Sequence, residues 1–438
     1  MAQNLSTLVT PYHKNQASES RDQIGFGLSI LALCLLPIER VALPLGLKPV
    51  DFVLVLLVLY GLAQAWRTRQ RLEFPLLLPL WLILFSSSVA ALVGIAKVEG
   101  IIAVVQEIYL FVWFIVLTNV LRMFSLSDLD RLLKVWSIIA CIEAATTVMG
   151  MFRIGPSMFY TLPYRDRNIT TVLVRSVGTY INPNAVAVYL SVSFFIVLAT
   201  SWPTWLRSAL AVWLFAGMFG TGSNGALITT LGGLAVLMVV HSITKMHRGI
   251  LLWGAITFIG MGLVATSLLV LAIEPSLLSG LGVSGSGHAL YLTVGRFSRS
   301  LGDRFELIGW AWQIFSHHPW GVGPNAFSTI RASLHNDYAA FLFERGPVGI
   351  IGWLWMIGAT LLMPLRAANQ STDGYQHWQI LAPGAGFLAC AVNALSHEIS
   401  HMRQVWMLMV FLFALSYAHL AQQAANAPSD TASVREGI

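Results

Sequence analysis

Apolar runs recur along the chain from residue 24 to residue 420, separated by short polar breaks. Most have the roughly 17 to 25 residues that a helix needs to cross about 30 Å of hydrocarbon. The pattern predicts about twelve such helices, at 24 to 38, 50 to 66, 75 to 95, 100 to 121, 132 to 152, 185 to 202, 206 to 221, 225 to 243, 250 to 273, 346 to 365, 378 to 396 and 402 to 420. The first and seventh are the shortest. In lipid every backbone polar group must be satisfied within the protein, so runs of this length are read as helices.

Composition agrees. The 438 residues are 56% hydrophobic and 11% charged, whereas soluble domains carry about 25% charged residues. The chain is therefore a membrane protein, with the bilayer as a partner and no nucleic-acid partner expected. Residues 1–23 are polar, and the first apolar run is not followed by a small-residue cleavage site, which predicts a retained span and not a signal peptide. Cys34, Cys141 and Cys390 lie in apolar segments without metal-like spacing, so they are expected to pack as small apolar groups.

Twelve spans put both termini on one side. Arg67, Arg69 and Arg71, then Arg122, Arg131 and Lys134, then Lys245 and Arg248 share that side, which marks it as cytoplasmic. The bias emerges once the two longest outer loops, 153–184 and 274–345, are set apart. Their basic residues are all arginines: Arg153, Arg165, Arg167, Arg175, Arg296, Arg299, Arg304, Arg331 and Arg345. Guanidinium groups bind phosphate bidentately and stay charged when partly buried, so the set points to a polyanionic ligand at the membrane surface. A general arginine preference, 21 Arg against 5 Lys in the chain, is the competing explanation.

The 274–345 loop is too long for a simple connection and too apolar to be disordered, so it is expected to fold. Gly280, Gly282, Gly285 and Gly287 give it a flexible start. Asp303 to His317 has the apolar spacing of an amphipathic helix with Trp310 and Trp312 available to the interface. Pro319 to Phe327 is turn-rich, and Leu334 to Gly346 reads as a helix running into the tenth span, which puts His335 at the mouth of the membrane.

Arg304 with Trp310, then PWGVG at 319–323, then His335 and Asn336, then ERGPVG at 344–349, stand in an order that resembles the carboxy-terminal half of the O-antigen ligase and O-antigen polymerase superfamily. RSVGTYINPN at 175–184 resembles the family's Arg-containing outer loop. The resemblance covers roughly residues 170 to 365 in motif and the whole chain in topology. One departure stands out: where the family often has Ser-Arg followed by Gly or Ala, residues 222–226 read GSNGA, so no role of that arginine carries over.

The resemblance implies an all-α polytopic protein with about twelve transmembrane helices and a large folded periplasmic loop between helices 9 and 10. Its expected parts are a cytoplasmic tail at 1–23, nine spans over 24–273 with a periplasmic loop at 153–184, a catalytic loop at 274–345, three spans over 346–420 and a second tail at 421–438. It also implies transfer of a glycan from undecaprenyl diphosphate to a sugar hydroxyl, without a metal or other cofactor. The acceptor is a lipid A core sugar for a ligase, or a growing polysaccharide for an O-antigen or exopolysaccharide polymerase, with other export components as further partners. The site would face the periplasm from the bacterial inner membrane.

The leaving diphosphate needs its charge stabilised, for which Arg175 and Arg304 are the candidates. The acceptor hydroxyl must lose a proton, and a histidine suits that task near neutral pH, which singles out His335. Arg299, Arg296, Arg165, Arg167 and Asn336 are candidate substrate contacts. Arg299 competes with Arg304, because one helical turn decides which faces the cavity. Asn336 either orients His335 or caps the helix, and Asp337 and Glu344 are candidates to pair with arginines. Glu107 and Glu143 lie inside spans, where an ionisable group signals function by default; Glu143 is open to either a cavity or a structural role.

A rival class is written in HEISH at 397–401. On a helix its two histidines would share a face for zinc, with Glu398 as base, as in a metalloprotease. A plain polar turn between the last two spans is the alternative, because the downstream third ligands are only His419, Asp430 and Glu436. A transporter is the remaining class, disfavoured by the absence of two similar halves.

Overall fold

The computed structural model describes residues 23–41, 47–69, 71–159, 164–165, 172–173, 175–244, 306–331, 333–370 and 374–426. The ninth expected span, the glycine-rich start of the large loop, residues 1–22 and 427–438 of the expected tails, and Arg167, Arg296, Arg299 and Arg304 lie outside the described residues.

Eight helices precede the large loop: α1 Gln23–Leu35, α2 Pro49–Thr68, α3 Leu77–Val93, α4 Lys97–Arg122, α5 Leu126–Met151, α6 Pro183–Ala199, α7 Thr204–Thr221 and α8 Asn224–Thr244. After it come α9 at 306–315, α10 Ala326–Ile330, α11 Asp337–Gln370, α12 Gly374–Asn393 and α13 Arg403–Asn426. Eleven of the twelve expected spans thus coincide with a helix. Among the described residues six helices are long and apolar enough to cross a membrane, and α1, α3 and α6 are shorter apolar helices. The structure adds one element that the apolar pattern did not predict, a short antiparallel ribbon pairing Tyr164–Arg165 with Val172–Leu173. Arg165 therefore lies on a ribbon.

Local chemistry sets several helix starts. Ser125 caps α5 by accepting the Asp128 N–H, and Asn182 caps α6 by accepting the Asn184 N–H with Pro183 at the first helical position. Helix α6 is apolar all round, and every residue from Ala185 to Ala199 is buried, so it runs through the middle of the bundle. Trp136 of α5 stacks on Tyr189 of α6, meets Phe411 of α13 edge-on and donates its indole N–H to Ser193 at 2.8 Å. Outer helices instead expose Phe52, Leu59, Trp81, Val105 and Ile142, the surface expected against acyl chains. The three cysteines are free thiols.

The end of the bundle that carries His335 is stitched together by groups far apart in sequence. Arg403 at the start of α13 holds Asp51 of α2 bidentately, both contacts at 2.7 Å, and Tyr109 of α4 donates to the same carboxylate at 2.9 Å. The Arg40 N–H donates to the Thr179 carbonyl, and the Asp337 N–H to the Ala394 carbonyl.

Candidate functional site

Arg175 begins a loop that is fixed along its length. The Ser176 N–H donates to Gly220 O, the Val177 N–H donates to Phe159 O, and the Ser176 hydroxyl also donates to Phe159 O. Glu143, in the fifth span, accepts both the Thr179 N–H (2.9 Å) and the Thr179 hydroxyl (2.7 Å). Its role in this structure is thus to clasp the loop that carries Arg175. The half-buried Arg175 donates from Nε to Thr221 O at 2.9 Å and from an Nη to Asn184 Oδ1 at 2.7 Å. These contacts place it beside the turn Gly222–Ser223 that opens α8.

From that turn a polar path leads to His335. Gly225 in the first turn of α8 lies against Asn393 at the end of α12 and Ser396 of the segment that follows. Two residues beyond Ser396, Glu398 Oε1 accepts the His335 N–H at 3.1 Å and the Ser333 hydroxyl. His335 is exposed and its φ is +50°, a left-handed conformation that a non-glycine residue adopts only when its surroundings hold it there. Asn336 accepts the Ala339 N–H at 3.0 Å and so caps α11. Among the described residues Asp337 pairs with no arginine; its carboxylate accepts the Ile399 and Ser400 N–H groups and the Ser400 hydroxyl.

These contacts bear on HEISH. Residues 397–401 are not helical, so His397 and His401 do not share a helix face, and Glu398 is engaged with the His335 turn. Among the described residues no three His, Cys, Asp or Glu side chains converge as a metal-binding group. The polar-turn reading describes this segment.

The PWGVG segment forms the other wall of the site. Helix α11 breaks at Gly346 (φ +76°, ψ −177°), and Pro347 has no N–H, so the Phe343 and Glu344 carbonyls lose their helical donors. The Val322 and Gly323 N–H groups fill those places at 3.1 and 3.0 Å. On the other side Val322 O accepts the Ile95 N–H at 3.0 Å, tying the segment to the α3–α4 turn. The fit demands glycine at 321, where φ is +99° and a Cβ would stand 2.4 Å from Glu344 O. Gly321→Ala is therefore expected to destabilise the protein by about 1–3 kcal/mol, read as a lower melting temperature in detergent; an unchanged melting temperature contradicts this seat. Phe315, Val322, Phe327 and Phe343 make a small second core that seats α9 on this wall, and Trp310 packs edge-on against Phe327.

Two arginines from the outer-loop set have other duties. Arg345 is buried between Glu107 (2.7 Å) and Glu344 (3.3 Å), while Glu344 also accepts the Asn325 and Phe327 N–H groups. Arg331 pairs with Glu306 at 3.1 Å and lies over the Trp310 ring. Sequence reasoning flagged Glu107 and Glu344 singly and missed the network they form. It also missed the roles of Ser333 and Glu398.

Residues 209–354 match the family model described as O-antigen ligase. That part of the chain is similar to the O-antigen ligase family. The match runs from α7 through the PWGVG wall and His335 to the kinked part of α11, and it supports membrane glycan transfer of the ligase and polymerase type. Arg175 and Glu398 lie outside it. No curated protein matches the chain.

Proposed function

We propose that this protein moves a glycan from undecaprenyl diphosphate to a lipid A core sugar hydroxyl, at the periplasmic face of the bacterial inner membrane. The reading takes the bundle to span the membrane about twelve times with the His335 end outward. The observation that carries it is the polar path joining Arg175 to His335 across one end of the bundle. A fixed cation and an exposed imidazole at the two ends of that path support the reading.

In this mechanism Arg175 and Arg304, with Arg299, Arg296, Arg165 and Arg167 as further candidate contacts, stabilise the diphosphate as the glycosidic C–O bond breaks and the electron pair leaves with it. The acceptor oxygen forms the new bond from the opposite face while its proton passes to a ring nitrogen of His335. A single displacement inverts the anomeric centre. The apolar cleft between α3 and the α11 kink, lined by Phe85, Val89, Val93, Trp320 and Pro347, suits the prenyl chain.

Deleting the gene in its host and resolving the surface polysaccharides by gel tests the reading. Loss of polymer on lipid A with long carrier-linked chains accumulating is the expected result, and Arg175→Ala is expected not to restore the polymer. Accumulation of single repeat units makes the protein a polymerase with the same donor chemistry. An unchanged polysaccharide pattern overturns the proposal.

A further inference from the structure

Ser333, His335 and Glu398 come together from segments 63 residues or more apart, apart from the short Ser333–His335 hairpin. The Ser333 hydroxyl donates its hydrogen to Glu398 Oε1. Its oxygen also stands 3.4 Å from His335 Nδ1 and 3.3 Å from the His335 N–H. A serine hydroxyl has one hydrogen and two lone pairs. With that hydrogen given to the carboxylate, a hydrogen shared between Ser333 Oγ and Nδ1 has to come from the ring.

We propose that Glu398 and Ser333 are positioning residues that hold His335 in the tautomer carrying its hydrogen on Nδ1, so that Nε2 presents the lone pair that takes the acceptor's proton. This rests on His335 being the base of the proposed transfer. The O–H bond of the acceptor breaks and an N–H bond forms at Nε2. The imidazolium then keeps its Nδ1 hydrogen against Ser333, and the Glu398 carboxylate one hydroxyl away stabilises the positive ring. The separation of 3.4 Å is long for a hydrogen bond, as such contacts often are before substrate is present.

Other charged and titratable groups stand on the packed elements, and His401 and Glu344 among them feel the Glu398 charge. On the 394–402 segment these are His401 and His397, whose ring faces its neighbour Ser396 O. On α11 they are Asp337, which accepts from Ile399 and Ser400, and Arg345, paired with Glu107. At the start of α13 it is Arg403, paired with Asp51. Glu398 is the carboxylate in hydrogen-bond contact with the His335 turn.

The test uses the full chain in proteoliposomes, with a lipid-diphosphate-linked repeat unit as donor and rates followed against pH. Glu398→Gln keeps an oxygen that accepts the His335 N–H but removes the charge. Without that charge the positive ring is less well stabilised, so kcat is expected to fall about tenfold, with donor KM unchanged. Ser333→Ala is expected to lower kcat without changing donor KM, and Ser333→Thr to restore most of it. If both variants keep the wild-type profile while His335→Asn is inactive, the relay is wrong and the base stands. If both lose activity only in proportion to a lowered melting temperature, with no rescue by threonine, the contacts are merely structural. If His335→Asn is fully active, the base and the relay fall together.

Discussion

His335→Asn is expected to lower the glycan transfer rate by about 10²- to 10⁴-fold while leaving the melting temperature close to that of the wild type. The two halves of this expectation have separate causes. Asparagine tolerates the left-handed backbone that residue 335 adopts at φ +50°, and its N–H still reaches Glu398, so the turn that starts α11 is kept. It has no group that takes up a proton at neutral pH, so the acceptor hydroxyl must be attacked without a base. Because the ring is exposed, little packing is lost. A rate near the wild-type value with correct folding removes His335 from the mechanism.

Arg345→Met is expected to cost about 3–5 kcal/mol of stability. The guanidinium sits between Glu107 and Glu344 with side-chain exposures of 8 to 12% for the three groups, and its removal leaves two carboxylates buried without their cation. The damage spreads to the site wall. Glu344 positions the Asn325 and Phe327 N–H groups, so the segment between PWGVG and α10 loosens along with α11. Melting in detergent reads the first effect, and increased hydrogen exchange over residues 319–330 reads the second. The double variant Glu107→Gln with Arg345→Met recovers part of the stability if burial of an uncompensated charge is the cause. An Arg345→Met protein that melts like the wild type means the pair contributes no stability.

The parts of this fold that were legible in sequence are those with a short-range signature. Apolar runs longer than a membrane is thick announce helices, and eleven of the twelve expected have one. The break in α11 at Gly346 was not foreseen, since residues 334–346 were expected to run straight into the tenth span. Asn336 before an apolar helical pattern announces its cap. The pairings that build the site carry no such signature. Arg345 meets Glu107 across 238 residues and Arg403 meets Asp51 across 352, and a single sequence does not say which acidic residue an arginine will find. HEISH misleads for a related reason. Its spacing means a shared face only on a helix, and here Asp337 draws the Ile399 and Ser400 N–H groups into a turn, so tertiary bonding overrides the local pattern. The roles of Ser333 and Glu398 follow from that turn and were invisible without it.

The grouping of nine outer-loop arginines as one anionic site was too coarse. Arg175 is held at the site, Arg345 is bound in a buried ion network, and Arg331 serves the surface of α9. Arginine count alone does not separate these duties, since each suits a guanidinium for a different reason: bidentate reach, charge retained on burial, and stacking on an indole.

The most direct measurement is transfer by the purified protein in proteoliposomes containing EDTA, with a lipid-diphosphate-linked glycan as the sole donor and lipid A core as acceptor. The account predicts a glycan–core product with inverted anomeric configuration and one lipid diphosphate released per bond formed. No transfer to this acceptor or to a second carrier-linked chain, or a product with retained configuration, contradicts it.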